Sequence, residues 1–230
     1  SKSAYKSLVK KMEANDIKYL VLFREENIRY ISALKLIISI RGLPGAYAAI
    51  VDKNGVTVLT SPDEYNRLVD MGSWVSIEKY GSEGLIGRIL QKIVNGSSVG
   101  YEDDSIIYPL YNELKKNFKL IEASKLIWDS RIIKNSYEIE LIEKAGKILT
   151  DAVSAVPEVF KKGMTEAELI GELEKKMRVE GAEGFGTWGL VTSDDGLKYV
   201  HFFPRSDKKI SGILNVNLST NYFGYYADIA

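Results

Sequence analysis

The sequence predicts an α/β domain followed by a second domain in which long helices give way to strands. Up to residue 121, short helical and strand-like patterns alternate, as is typical of an α/β domain. Beyond residue 135 two longer amphipathic helical patterns follow, and from Phe185 the chain is strand-like again. With 230 residues, the chain is long enough for two domains of ordinary size. We therefore place the domains at 1–125 and 126–230, with the boundary in the segment 122–135.

The first domain is predicted to begin with a helix that Ser3 caps and that carries Leu8 and Met12 on one face. A buried strand over 17–23 follows. Lys53-Asn54-Gly55 predicts the turn of a hairpin between strands 46–52 and 56–60. The remaining predicted elements are a helix from Pro62, a strand over 74–77, a helix over 85–93, a strand over 98–101, a helix over 106–116 and a strand over 118–121.

The second domain is predicted to start with two helices that carry their own caps. Asn135 with Glu138, and Thr165 with Glu168, have the spacing of a capping box. Pro157 is expected to interrupt the first of these helices, because proline removes a backbone donor and clashes with the preceding turn. The strands that follow complete an α+β arrangement.

Composition and charge exclude several classes of function. Lys and Arg number 31 and balance 31 Asp and Glu, which argues against a strongly electrostatic nucleic-acid binder. The chain has no cysteine, which excludes disulfides, zinc sites with Cys ligands and thiol nucleophiles, and His201 is its one histidine. The apolar runs are too short to span a membrane and no signal-peptide pattern is visible, so we expect no membrane partner and a cytoplasmic location.

The most informative segment lies near the end of the sequence. Leu214, Val216 and Leu218 alternate with polar residues, which predicts a half-buried strand with a polar face. A turn centred between residues 222 and 223 would place Asn217 directly opposite Asp228. Two residues in such positions could hold a bridged metal site if both were acidic.

Five segments, taken in order, resemble the creatinase, aminopeptidase P and Xaa-Pro dipeptidase (prolidase) family, whose catalytic domain has the pita-bread fold. The resemblance covers essentially the whole chain. The segments are Asn27-Ile28-Arg29-Tyr30; Arg131-Ile132-Ile133-Lys134 followed by Glu138-Ile139; Gly163-Met164-Thr165-Glu166; His201-Phe202-Phe203-Pro204; and Asn217-x-Ser219 followed by Gly224-Tyr225-x-x-Asp228.

The resemblance implies a creatinase-like N-terminal α/β domain over 1–125 and the first half of a pita-bread domain over 126–230. It also implies a metallopeptidase that hydrolyses peptide bonds next to proline and works with two divalent metal ions, Mn²⁺ or Co²⁺, commonly as a homodimer. Asn217 and Asp228 match two metal-ligand positions. His201 matches a residue that lies near the substrate and stabilises the transition state.

The sequence departs from the family pattern at the metal ligands. Position 217 is Asn where the family has Asp, and Ser219 stands where it has Gly. The family's ligand His and two Glu have no counterpart within the 230 residues. Because two dications need several negative oxygens, we expect no metal in this chain and no peptidase activity from it alone. Two alternatives stay open: a non-catalytic peptide- or protein-binding relative, and a metal-free creatinase-like hydrolase with His201 as general base.

Overall fold

The structure is a computed structural model that describes residues 2–36, 47–186, 188–199 and 201–230. It divides into two compact units, Ser1–Ile133 and Lys134–Ala230. The predicted α/β domain followed by an α+β domain is confirmed. The Arg41-Gly42 and Pro44-Gly45 segment, which the sequence predicts as a connecting loop, lies outside the described residues.

The first unit is built on a mixed six-stranded sheet with the order β4-β3-β2-β1-β5-β6. Strands β1, β2 and β3 pair antiparallel, whereas the β3–β4, β1–β5 and β5–β6 pairs are parallel. The strands are β1 Tyr19–Leu22, β2 Tyr47–Asp52, β3 Gly55–Thr60, β4 Ser76–Lys79, β5 Ser98–Tyr101 and β6 Lys119–Glu122.

Helices cover both faces of this sheet. They are α1 Lys2–Ala14, α2 Glu25–Ser32, α3 Pro62–Asp70, α4 Gly84–Lys92, α5 Tyr108–Asn117 and α6 Ser124–Arg131. Successive side chains of β1 lie in different hydrophobic cores. Leu20 and Leu22 pack with α1 and α2, whereas Val21 packs with α4 and α5. A strand buried on both faces explains the continuous apolar run that the sequence shows there.

Two helices of the first unit, α2 and α6, are absent from the sequence-based prediction. The predicted domain boundary at 125/126 falls inside α6, which packs against α1. Ser130 ties α6 to this unit, because its carbonyl accepts from the Tyr30 hydroxyl at 2.7 Å and its Oγ accepts from Lys11 Nζ at 2.9 Å. The structural division therefore comes eight residues later, after Ile133.

The second unit packs helices on one face of the antiparallel sheet β7-β8-β9. Its elements are α7 Ser136–Ser154, α8 Val156–Val159, α9 Glu166–Val179, β7 Gly189–Ser193, a 3₁₀ turn over Asp194–Lys198, β8 Leu214–Tyr222 and β9 Tyr225–Ile229. Both predicted capping boxes are confirmed, at Asn135 and at Thr165. The proline at 157 begins a separate short helix, as expected. Within the described residues, none of the helices is long and apolar enough to cross a membrane.

The predicted pairing of Asn217 with Asp228 is wrong. The turn between β8 and β9 consists of Phe223 and Gly224, which both have positive φ, 49° and 80°. Its centre is one residue later than predicted, because glycine occupies the second of the two left-handed positions. Moving the centre by one residue shifts the pairing by two, so Asp228 lies opposite Ser219 and Asn217 lies on the diagonal.

Candidate functional site

The three-stranded sheet has one face against the helices and a second, more polar face. The apolar side chains of β8 at positions 214, 216 and 218 join the helical core. Because side chains alternate along a strand, Asn217 and Ser219 point to the opposite face, together with Leu190 of β7 and Asp228 of β9. We call this surface the second face. It brings together two of the three site residues predicted from the sequence.

Asn217 has an unsatisfied acceptor on this face. Its Oδ1 is shielded from solvent and has no hydrogen-bond partner among the residues that the structure describes. A buried polar atom without a partner costs about 1–3 kcal/mol, so such an atom is a candidate for contact with a ligand. Asp228, by contrast, is exposed. The diagonal register separates the two Cα atoms by roughly 7–8 Å.

Ser219 uses its hydroxyl to fix the start of β7. Its Oγ accepts from the Trp188 backbone N at 3.1 Å and donates to the Trp188 carbonyl at 2.9 Å, and its own backbone N donates to the same carbonyl at 3.2 Å. Trp188, Ser219 and Asp228 therefore form one row across the three strands. Sequence reasoning noted Ser219 only as a departure and did not identify Trp188.

His201 lies beside this row. Its exposed ring meets the Trp188 indole with 4.7 Å between ring centroids and an interplanar angle of 54°. The contact makes an aromatic wall at the start of β7, and 43% of Trp188 remains exposed. Asp228 lies two strands away from Trp188 in the same row, roughly 10 Å at the usual strand spacing. The structure thus places Asn217 and Asp228 on one face of the sheet and His201 against Trp188 beside it.

A buried ion pair underlies the segment that carries His201. Glu166, in the first turn of α9, is fully buried and binds Arg205 through Nε at 2.9 Å and Nη2 at 2.8 Å. Burial alone raises the pKa of Glu166, but the hydrogen bonds from Arg205 and Ser193 outweigh it and lower the pKa to about 2. Sequence reasoning noted Glu166 only as part of a motif and missed Arg205. The two residues are 39 positions apart in the sequence, so no local sequence pattern predicts the pair.

The described residues do not fit a centre of two divalent cations. Among the residues that the structure describes, no three His, Cys, Asp or Glu side chains are grouped as metal ligands. On the second face, the two ligand-matching positions offer one exposed carboxylate and one neutral amide. Oxygen ligands suit Mn²⁺, but a single negative charge does not offset the desolvation and mutual repulsion of two dications.

Comparison with known proteins places each unit in a family. Residues 5–133 match the Creatinase/Prolidase N-terminal domain, and residues 140–230 match Metallopeptidase family M24. The chain is 29% identical over 229 residues to an Xaa-Pro dipeptidase of Pyrococcus horikoshii, covering 97% of this chain and 62% of that protein. It is 31% identical over 232 residues to an uncharacterised peptidase of Methanocaldococcus jannaschii, covering 96% of this chain and 58% of that protein.

A solved structure supports the same relationship. The prolidase from Pyrococcus furiosus superimposes with a TM-score of 0.82 and 26% identity, over 97% of this chain and 68% of that chain. The chain spans about three fifths of the length of these curated relatives. Their matches extend through both units, and the first family model alone covers more than half of the chain. The chain therefore belongs to the creatinase/prolidase family, with an N-terminal domain of that family followed by part of an M24 metallopeptidase domain of the pita-bread fold.

Proposed function

We propose that this protein recognises proline-containing peptides on the second face, as a prolidase-like protein in which the dinuclear metal centre is weakened. Two of the relatives are named Xaa-Pro dipeptidases, which supports the choice of peptide. The observation that carries the proposal is the unpartnered Oδ1 of Asn217, at a position where the family has a metal-binding carboxylate.

An amide at position 217 favours a peptide over a cation. Asn carries no charge to offset that of a dication, whereas its amide group both donates and accepts hydrogen bonds, as a peptide backbone does. A peptide N–H is the natural partner for the unsatisfied Oδ1. The proline ring, which has no N–H to lose, is suited to the apolar faces of Trp188 and His201.

The test is a titration of the 230-residue chain with Xaa-Pro dipeptides, in which the NMR signals of the His201 ring are the readout. Because His201 is the one histidine, its ring protons report the site without assignment ambiguity. We expect saturable shifts that persist in EDTA, with no cleavage of the dipeptide. We expect Asp228→Ala to leave binding unchanged, since the recognition argued here does not use that carboxylate. Absence of any His201 shift with the wild-type chain would refute the proposal.

A companion experiment asks how position 217 controls metal affinity. Asn217→Asp should tighten Mn²⁺ binding by about tenfold, or about 1.4 kcal/mol, because it adds a second carboxylate to the face that carries Asp228. The matched control is Asn215→Asp, which adds the same charge to the same strand and face, two residues away. Equal Mn²⁺ affinities in the two variants would show that position 217 is not a ligand position.

A second candidate function is hydrolysis of the Xaa-Pro bond by two metal ions. It is favoured by the match of residues 140–230 to Metallopeptidase family M24. The family resemblance in the sequence also implies a metal-ligand position for Asp228 and a substrate-site position for His201. Cleavage that requires Mn²⁺ or Co²⁺ and disappears in EDTA would establish it. Cleavage that survives EDTA and is lost in His201→Ala would instead identify a creatinase-like, metal-free reaction.

The homodimer remains a prediction. Light scattering on the purified chain distinguishes one copy from two, and a monomer at all concentrations would overturn it. If the dimer forms, peptide titrations should be made above its dissociation constant, so that both states are not averaged.

A further inference from the structure

The Glu166 carboxylate connects three elements of the second unit. It belongs to the first turn of α9, and its Oε1 accepts from the backbone N and the hydroxyl of Ser193, at 2.8 and 2.9 Å, at the end of β7. Its Oε2 accepts from the Arg205 backbone N at 3.1 Å. Together with the two guanidinium bonds already given, five donors surround this one buried group. The donors of Ser193 and Arg205, rather than water, therefore satisfy the lone pairs of the Glu166 carboxylate.

Arg205 extends the connection to the segment before it. Its Nη1 donates to both carboxylate oxygens of Asp195 at 3.1 Å, and its guanidinium lies 5.0 Å from the centre of the Phe202 ring. The Tyr199 ring stacks on Phe202, with 5.1 Å between centroids and 11° between planes. Tyr199 and Phe202, which lie two residues before and one residue after His201, are thus linked to the Arg205 guanidinium through the Phe202 ring.

We propose that the Glu166–Arg205 ion pair is a positioning device that holds His201 against Trp188. Ser193 and Arg205 bind the same carboxylate, so the intervening segment is closed into a loop at its two ends. Trp188 lies five residues before one closing point, and His201 lies four residues before the other. Both partners of the aromatic wall therefore belong to the two stretches of chain that Glu166 ties together, and neither forms a hydrogen bond with Glu166 in the described part of the chain. The role of that wall in binding rests on the proposed function.

A substitution by glutamine should break the device without changing its shape. Five donors converge on Glu166, and an amide would present its own NH₂ group to some of them, which leaves donors facing donors. In Glu166→Gln we therefore expect the nuclear Overhauser contact between the His201 and Trp188 rings to be lost. The His201 ring shift should move to the value of an unstructured peptide, while the amide signals of β8 stay in place.

The matched control is Glu174→Gln. Glu174 lies on the same helix and also pairs with an arginine, Arg178 at 2.8 Å, but this pair is exposed. Its loss should leave the His201 signals unchanged. Arg205→Lys tests the same inference from the other side, because lysine keeps the charge but loses the two-point geometry. We expect it to give an intermediate His201 shift and to carry the test if Glu166→Gln fails to fold.

The outcomes separate this inference from the proposed function. A folded Glu166→Gln or Arg205→Lys variant that keeps the wild-type ring contact overturns the positioning role, whatever the peptide does. A lost contact with wild-type peptide affinity means that the pair positions His201 but that the wall is not used for binding. A lost contact in a protein whose wild type binds no dipeptide leaves the positioning role established and refutes the proposed function.

Discussion

Acid should weaken the second unit through Glu166, and the size of the effect follows from its surroundings. The carboxyl titrates at an ordinary pKa of 4.5 when unfolded and at about 2 when bound to Arg205 and Ser193. Since one pKa unit corresponds to about 1.36 kcal/mol, this pKa difference contributes about 3 kcal/mol to the free energy of unfolding. Because the folded pKa is lowered, the stabilisation is fully present above pH 4.5 and is lost as the pH falls toward 2. By pH 3, about 2 kcal/mol of it should be gone.

The comparison that isolates this effect is wild type against Glu166→Gln. Other carboxylates with lowered pKa values, such as Glu64 and Asp195, also contribute to acid sensitivity, but they are present in both proteins. The difference in unfolding free energy between the two proteins should therefore be largest at pH 7. It should shrink by about 2 kcal/mol between pH 7 and pH 3, because glutamine does not titrate.

The assay is urea unfolding at several pH values. Unfolding is monitored by ¹⁹F NMR of protein in which 5-fluorotryptophan replaces tryptophan. Trp74 and Trp128 lie in the first unit and Trp188 in the second, so the Trp188 resonance reports the unit that contains Glu166. A separate signal is needed because two units need not unfold in one step. A difference that stays constant from pH 7 to pH 3 would refute the reasoning. So would an equal pH-dependent change in Glu174→Gln.

Three further predictions concern stability. Glu102→Leu removes the acceptor for two backbone N–H groups at the start of α2. Urea unfolding should show that the first unit loses about 3 kcal/mol of unfolding free energy. A loss below about 1 kcal/mol would mean that water replaces the carboxylate. Asn135→Ala removes the capping box of α7 and should cost about 1 kcal/mol, which Asn135→Ser should largely restore. Gly146→Ala, within α7 and facing open space, should raise the free energy of unfolding by about 0.5–1 kcal/mol. Gly224→Ala, at φ 80°, should lower it by about 1 kcal/mol. Changes of the same sign in both variants would contradict this backbone argument.

Features of the fold that depend on near neighbours could be predicted from the sequence. The capping boxes of α7 and α9 lie within four residues, and the hairpin at Lys53-Asn54-Gly55 needs only a two-residue turn. Helix α2 shows the opposite case. The carboxylate of Glu102, from β5's end, accepts from the backbone N of Arg24 at 2.7 Å, across 78 residues of sequence. A helix whose cap comes from a distant strand leaves no signal in its own eight residues.

The role of Asn217, Asp228 and His201 as site residues stays a prediction, although the structure places all three at the sheet β7-β8-β9. Their register was wrong because the run Tyr222-Phe223-Gly224-Tyr225 lacks a decisive two-residue turn signal, and phenylalanine had to be accepted in a left-handed conformation. Trp188 and Arg205 were missed because each acquires its meaning from a residue that is distant in sequence.

The two departures from the family pattern lie two residues apart on the second face. Replacing a carboxylate by Asn217 removes negative charge, while Ser219 adds a hydroxyl whose donor and acceptor are both used on the backbone of Trp188. That backbone carries the indole which meets His201, so the serine fixes one side of the aromatic wall. Less charge and a firmer apolar wall suit the proposed function, which requires discrimination by shape and hydrogen bonding. Hydrolysis by two metal ions needs the reverse balance, because it depends on charge concentrated at the reacting bond.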